Sequence, residues 1–509
     1  MSGTGAFDYV VVGGGSAGAI VAARLAEDPE VSVCLLEAGP SDEGDARILE
    51  IARWADLAGS ELVRSYGIEA AVGANADLQH SRAFVLGGCG SHNQGIAFTA
   101  PSADLRRWEE LGATGWGPEG TRPYFDRVLR HVHVAEVPPE NECAAAFVAA
   151  AAEAGYPLIS FEDPDFAEGV GWLRLNARDG LRQSSSVAYL HPFAGYAPNL
   201  TIRTETTALR LVLDGDRVTG VETTGGSVEA RRETVLSCGA FESPKLLLLS
   251  GIGPRSELER LGISPLVDLP GVGENLLDHP EASVVWEASR PVPLDVVQNW
   301  ESALFARSDA SHANADVMIH FGTMPALERY LPPGSPTAEH AFWMTPNVNR
   351  PKSVGRLGLR SADASVAPTL DFRYYADPGD AKAMLEGLRV CRRLADTAPL
   401  RDWVERELIP GADVRSDEEL LDYARRHGTT VHHPAGTCRM GSADDELAVV
   451  DPSLRVRGVE GVRVADASVF PAMIGVNLNL TCMMIGEKAA EAIQRSQSSS
   501  ASSIASTMP

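Results

Sequence analysis

Tyr9-Val10-Val11-Val12-Gly13-Gly14-Gly15-Ser16-Ala17-Gly18 runs from an apolar strand pattern into a glycine turn, and residues 19–26 continue with a helical pattern. Gly13, Gly15 and Gly18 fit G-x-G-x-x-G, in which the glycines serve a tight turn, close backbone approach to a pyrophosphate, and packing of helix on strand. Ser16 lies inside the turn, where the helix N-terminus offers free N–H groups to phosphates. A second apolar run, Val31-Ser32-Val33-Cys34-Leu35-Leu36, ends in Glu37, whose carboxylate is placed to accept hydrogen bonds from ribose hydroxyls. Strand, turn, helix, strand and acid in this order predict a dinucleotide site. They do not separate NAD from FAD.

The chain has 509 residues, enough for three domains or one large unit with interleaved parts. Its 44% hydrophobic and 22% charged residues are ordinary for a globular protein, and no apolar run is long enough to span a bilayer. Residues 1–7 lack a basic start and an apolar signal core, so a cytoplasmic location is expected. Seven cysteines are scattered without C-x-x-C pairs, which argues against a zinc site or a disulfide framework, and no metal is expected. A formal net charge of −25 disfavours nucleic acid as a partner. It fits a solvated acidic surface, and an acidic field of this kind also steers cations.

Farther along, Trp54 belongs to an apolar pattern after an acidic loop, and Leu86-Gly87-Gly88-Cys89-Gly90-Ser91-His92-Asn93-Gln94-Gly95-Ile96 is too glycine-rich for a helix interior. It reads as a loop pressed against something flat or anionic, with His92 on it. Residues 200–237 alternate apolar and polar positions and are expected to form a small antiparallel sheet inserted into the nucleotide fold. Residues 239–249 read as a helix returning to that fold, and residues 283–375 as a mostly β substrate domain. Helices follow at 381–396 and 417–426, a strand at 462–469, and a closing helix at 481–495. The Ser-rich residues 496–509 read as a disordered tail.

Four ordered features carry a family resemblance: the turn with Glu37; Arg82…Leu86-Gly87-Gly88…Asn93; Gly239…Ser243-Pro244…Ser250-Gly251-Ile252-Gly253-Pro254; and His433-Pro434…Gly436-Thr437 with Val476-Asn477. Over all but the tail, the chain resembles the glucose–methanol–choline (GMC) flavin oxidoreductases, most of all their choline-oxidising branch. The resemblance implies an α/β fold, with a Rossmann-like FAD-binding domain interleaved with an α+β substrate domain built on an antiparallel sheet. The boundaries read from it are 1–160 (FAD domain with the flavin-attachment loop), 161–280 (inserted β segment and return), 281–430 (substrate domain), 431–495 (catalytic and FAD-binding part) and 496–509 (tail).

The resemblance further implies FAD, held along Gly87, Gly88, Asn93 and Asp466 and bonded covalently through His92. Flavin oxidation of an alcohol needs a base and a stabiliser for the alkoxide. His433 suits the first, because an imidazole titrates near neutrality, and Asn477 supplies an amide for the same oxygen. The branch's pattern makes Glu301 the partner of a cationic substrate head, with Trp54 offering a ring face and His320 in the pocket. Val431 matches a valine near the flavin's oxygen-reactive carbon. Gln94, His432 and Leu478 depart from the branch's serine, tyrosine and proline and leave the alcohol open. The expected activity is oxidation of a primary alcohol to the aldehyde with O2 as acceptor. Alternatives are a dehydrogenase with another acceptor and a lyase of the same fold, and a homodimer is the analogy's expectation.

Overall fold

The computed structural model describes residues 5–69, 74–193, 197–294 and 296–505. Its nucleotide-binding layer is a seven-stranded sheet. Leu200–Arg203, Val33–Leu36, Gly5–Val12 and Gly226–Leu236 lie side by side in that order, all parallel. Val462–Val464 adds to Gly226–Leu236, again parallel, from the far end of the chain. These strands finish on one edge, since Val12 pairs with both Leu36 and Leu236, and Leu236 with Val464. The residues that follow them, Gly13, Glu37, Ser237 and Asp466, therefore gather where open α/β sheets bind ligands.

Residues 200–237 form only in part the small inserted antiparallel sheet expected of them. Leu200–Arg203 and Gly226–Leu236 are parallel strands of the nucleotide sheet itself, and only Ala208–Asp214, Arg217–Thr223 and the start of Gly226–Leu236 pair antiparallel. Apolar–polar alternation marks a strand with one wet face but does not name its neighbour.

Helix Gly18–Leu25 buries every residue except Arg24, and Arg24 reaches Glu487 with its Nε 3.0 Å from Oε1. Glu487 lies on the closing helix Asn479–Ala505, which presses on the glycine turn: a Cβ on Gly486 would fall 2.7 Å from the Ala17 carbonyl oxygen. That helix continues past 496, where a disordered tail was expected. Once its first turns are anchored, each further residue adds a hydrogen bond without a new nucleation cost. Residues 506–509 lie outside the described residues.

The second layer is an eight-stranded sheet with the order Val404–Ile409, Val284–Ala288, Ala341–Val348, Val317–Thr323, Trp300–Ala306, Gly169–Trp172, joined by Pro280–Glu281 and Thr429–Thr430. Its pairings are antiparallel. Gly169–Trp172 comes to it from outside residues 281–430. One face, with Ile319, Phe321 and Met344, packs in one core with Met384, Leu388 and Cys391 of helix Pro378–Ala395. Alternation sends His320, Trp343 and Thr345 to the other face, over the nucleotide layer, and a register irregularity between Trp300 and Ser302 brings Trp300 to the same face. All seven cysteines are free thiols. Among the described residues, no His/Cys/Asp/Glu cluster suits a metal and no helix is long and apolar enough to cross a membrane.

A Cβ on Gly18 would lie 2.0 Å from the Gly13 carbonyl oxygen and 2.8 Å from Ser237 Cβ. Gly18→Ala is therefore expected to cost about 1–3 kcal/mol of stability through overpacking. A thermal melt no lower than that of the unmodified protein would contradict this.

Candidate active site

A cavity of about 1130 Å³ runs between the two sheets. Gly13, Gly15, Ser16 and Glu37 wall one end, Gly88, His92 and Asn93 the middle, and His433, Asn477, Trp300 and His320 the other end. The two glycine turns meet in the middle, where a Cβ on Gly88 would lie 2.7 Å from Gly15 Cα. Gly18 and Gly87 stand off the wall. Gly18 packs helix on strand, while Gly87 makes a turn at φ +85° in which a Cβ would fall 2.1 Å from Ser91 Oγ.

The carboxylates of the nucleotide end are tied to backbone. Glu37 accepts from the N–H groups of Gly14 at 2.9 Å and Gly39 at 2.8 Å, and burial pushes its pKa up to about 7. Asp466 accepts from Gly239 N at 2.9 Å, Ser243 Oγ at 2.5 Å, and Ser468 N and Oγ at 2.8 and 2.5 Å. Asp466 thus fastens the C-terminal strand to the start of helix Gly239–Leu249. Ser16 Oγ donates to Asn479 Oδ1 at 2.7 Å, and Asn479 Nδ2 is buried with no protein partner. Asn477 Oδ1 and His432 Nδ1 on the same wall are also buried without partners. Orphaned buried polar atoms are rare in folded proteins. Together with glycine turns that a Cβ would fill, they fit a long, flat, hydrogen-bonding ligand such as FAD.

At the far end, His433 and His279 meet with their Nδ1 atoms 2.9 Å apart, and His279 Nε2 lies 3.0 Å from the Ile474 carbonyl oxygen. A carbonyl only accepts, so His279 carries its proton on Nε2. Burial lowers the pKa of His279 to about 3, which leaves its Nδ1 bare to accept. His433 must then donate from Nδ1, and its Nε2 keeps a free lone pair. Burial above all holds the His433 pKa well below the usual histidine value, so this ring is neutral and its Nε2 lone pair is open to the cavity.

Asp278 shapes the backbone that presents His433. It accepts from His433 N at 2.8 Å, Tyr374 OH at 2.5 Å and the Thr430 hydroxyl, and burial raises its pKa to about 6. Thr430 Oγ1 accepts in turn from His432 N at 2.9 Å, and Arg82 Nη2 donates to the His432 carbonyl at 2.6 Å. These bonds hold His432 at φ +60°, a left-handed conformation uncommon outside glycine. The loop bearing Asn477 is pinned similarly. Gly475 N donates to Asp104 at 2.8 Å, Gly475 O accepts from Asn349 Nδ2 at 2.6 Å, and Asp104 also holds the Arg350 guanidinium.

The structure brings Trp54, Gln94, His320, Val431 and His432 to the wall with His433 and Asn477, and it does not bring Glu301 there. A register irregularity between Trp300 and Ser302 leaves Glu301 unpaired with the neighbouring strand, and its side chain meets Asn141, the cap of helix Glu142–Glu153, which packs on the sheet's other face. Glu301 is bonded by Asn141, and burial raises its pKa to about 7. A carboxylate that does line the cavity, beside Thr345, is Glu281 from the short strand Pro280–Glu281, where burial raises the pKa to about 8 against a hydrogen bond from Thr345. His320 faces the same space with Nε2 unpartnered, its pKa lowered to about 4 by burial, and its ring 6.3 Å from that of Trp300.

Sequence reasoning missed Asp278, His279 and Glu281, which stand in a row as Asp278-His279-Pro280-Glu281. The His-Pro pair repeats in His433-Pro434, and that repetition was the available signal.

Two family models described as GMC oxidoreductase match residues 7–281 and 351–486. The chain is 44% identical to choline oxidase of Arthrobacter globiformis, over 96% of this chain and 94% of that one. It is 34% identical to mitochondrial choline dehydrogenase of Homo sapiens, over 96% and 90%. Among solved structures, pyridoxine 4-oxidase from Mesorbium loti superposes with a TM-score of 0.88 at 31% identity, over 95% of this chain and 98% of that one.

Replacing His433 by Ala is expected to lower turnover by about 10²–10⁴-fold. Replacing His279 by Ala should cost about 10–100-fold, the usual loss when the partner orienting a functional imidazole is removed. Both are read by steady-state kinetics at matched flavin content, and unchanged turnover in His433→Ala would exclude the ring as base.

Proposed function

Since the chain belongs to the GMC oxidoreductase family and is an FAD-dependent alcohol oxidoreductase, we propose that it oxidises a cationic primary alcohol of the choline type to the aldehyde, with O2 as electron acceptor. The observation that carries the substrate class is Glu281, a carboxylate on the wall of a pocket that also presents Trp54 and Trp300. An ammonium head would compensate the buried negative charge, and indole faces attract cations.

FAD, when bound, accepts a hydride at N5. It would be held by the glycine turn with Ser16 and Glu37 at its nucleotide end, and by the His92–Asn93 loop, His432 and Asn477 at its ring end. His433 Nε2 accepts the hydroxyl proton, and its Nδ1–H remains donated to His279, so that the imidazolium is stabilised as it forms. The Asn477 amide holds the substrate oxygen as it gains negative charge, which keeps the alcohol carbon oriented for hydride departure. Val431 closes the pocket beside them. We assign His92 as the covalent attachment point of the flavin, because it lines the cavity and burial, Arg82 and Arg182 keep its imidazole neutral, with the pKa lowered to about 4.

A comparison of choline with its uncharged isostere 3,3-dimethylbutan-1-ol tests the substrate class, with peroxide formation as the readout of O2 use. Choline should be the better substrate, and Glu281→Gln should raise its KM by at least about tenfold, or about 1.4 kcal/mol. Equal efficiency with the two alcohols would rule out a cation partner. Glu281 binds the cation only when ionised, so kcat/KM for choline is expected to rise with pH through about 8 while that for the neutral alcohol does not follow the same rise.

A further inference from the structure

Arg182 is 1% exposed, and among the described residues no carboxylate lies within ion-pair distance of it. Its acceptors are neutral. Nε donates to the Ile48 carbonyl at 2.9 Å, and Nη1 donates to Asn93 Oδ1 at 2.9 Å, to the Gly90 carbonyl at 3.4 Å and to the Asn93 carbonyl. Nη2 is buried with no partner at all. A guanidinium buried without a counter-ion is costly, and carbonyl oxygens offset only part of that cost. A fold that needed only a staple for this loop could use a neutral donor.

The loop that Arg182 grips is the one that carries His92. The gripped carbonyls of Gly90 and Asn93 stand on either side of it, and Asn93 Oδ1 also accepts from Gly95 N at 2.9 Å. Gly95 O accepts from Asn176 N at 2.8 Å, which ties the loop to the hairpin Ala177–Arg178 and Leu181–Arg182 on which the guanidinium is mounted. His92 thus faces the cavity over a rigid base with an uncompensated positive charge beneath it.

We propose that Arg182 is a positioning residue for attachment of the flavin to His92: it fixes the loop on both sides of the imidazole and sets an unpaired positive charge beneath it. The inference rests on the His92 linkage proposed above. In the step it serves, an unprotonated ring nitrogen of His92 forms the N–C bond to the flavin 8α carbon. One C–H bond of the 8α methyl and the imidazole N–H bond break, and the two protons and two electrons pass to the flavin ring. O2 then takes them up as hydrogen peroxide. A protonated imidazole has no lone pair for the bond; burial does most to disfavour protonation of His92, and the charges of Arg82 and Arg182 add to it.

The full chain and its variants, purified as expressed, are precipitated in acid, and the flavin in the pellet is measured against total bound flavin. The unmodified protein should keep its flavin in the pellet, and His92→Ala should release all of it and so supply the non-covalent baseline. Arg182→Met should bind as much total flavin as His92→Ala but retain at least tenfold less covalently than the unmodified protein, with partial recovery in Arg182→Lys. Asn93→Asp keeps the side-chain shape and gives the guanidinium a carboxylate; it too should lower the covalent fraction, and it carries the test if Arg182→Met does not fold. A covalent fraction equal to the unmodified protein's in either variant overturns the proposal and leaves the linkage standing. Total flavin in Arg182→Met far below that of His92→Ala also overturns it, since Arg182 would then be a structural residue only. Flavin released by the unmodified protein removes the His92 linkage and the proposal with it.

Discussion

The contact between the two Nδ1 atoms of His279 and His433 sets the direction of proton movement at the reactive end of the cavity. Because His279 spends its Nε2 proton on the Ile474 carbonyl, it has only a lone pair to offer, and His433 is left with the tautomer a base needs. The same imidazole ties the His433 segment to the loop that carries Asn477. His433 and Asn477 are therefore set relative to each other by one side chain. Asp278, next to it in sequence, holds the His433 backbone, so two consecutive residues govern both the tautomer and the position of the His433 ring.

Burial is the second recurring cause. His80, His92, His279, His320, His432 and His433 all have lowered pKa values, with desolvation the largest cause in each. The same desolvation raises Glu281, so the pocket holds neutral imidazoles beside a carboxylate that is easily protonated. A cation entering this space meets one group ready to take charge and several that resist it. Gln94, His432 and Leu478 stand in the same wall, and Leu478 follows Asn477 directly.

The nucleotide half was legible in the sequence because its signals are local. Gly13, Gly15, Gly18 and Glu37 sit at fixed offsets along one strand–turn–helix–strand unit, and the need of Gly13 and Gly18 for space shows in their neighbours. His433 and Asn477 were legible through motif context. The strand partners of residues 200–237 were not, since alternation reports a strand's faces and is silent on its neighbours. Nor was the acid that lines the cavity: Glu301 and Glu281 are both acids in β segments, and only the fold shows that Glu281 is the one on the wall. Arg182 was invisible because its acceptors are backbone carbonyls of a distant loop, which have no side-chain signature.

The parallel strand Val462–Val464 has a consequence for the order in which this protein matures. It completes the nucleotide sheet from near the C-terminal end, and Asp466 just beyond it locks the start of helix Gly239–Leu249. Asn477 and Asn479 follow within the same stretch. The cofactor pocket opened by the first forty residues therefore has no complete wall until residues 462–479 have folded back onto it, and folding of the N-terminal part alone yields only a half-built cradle.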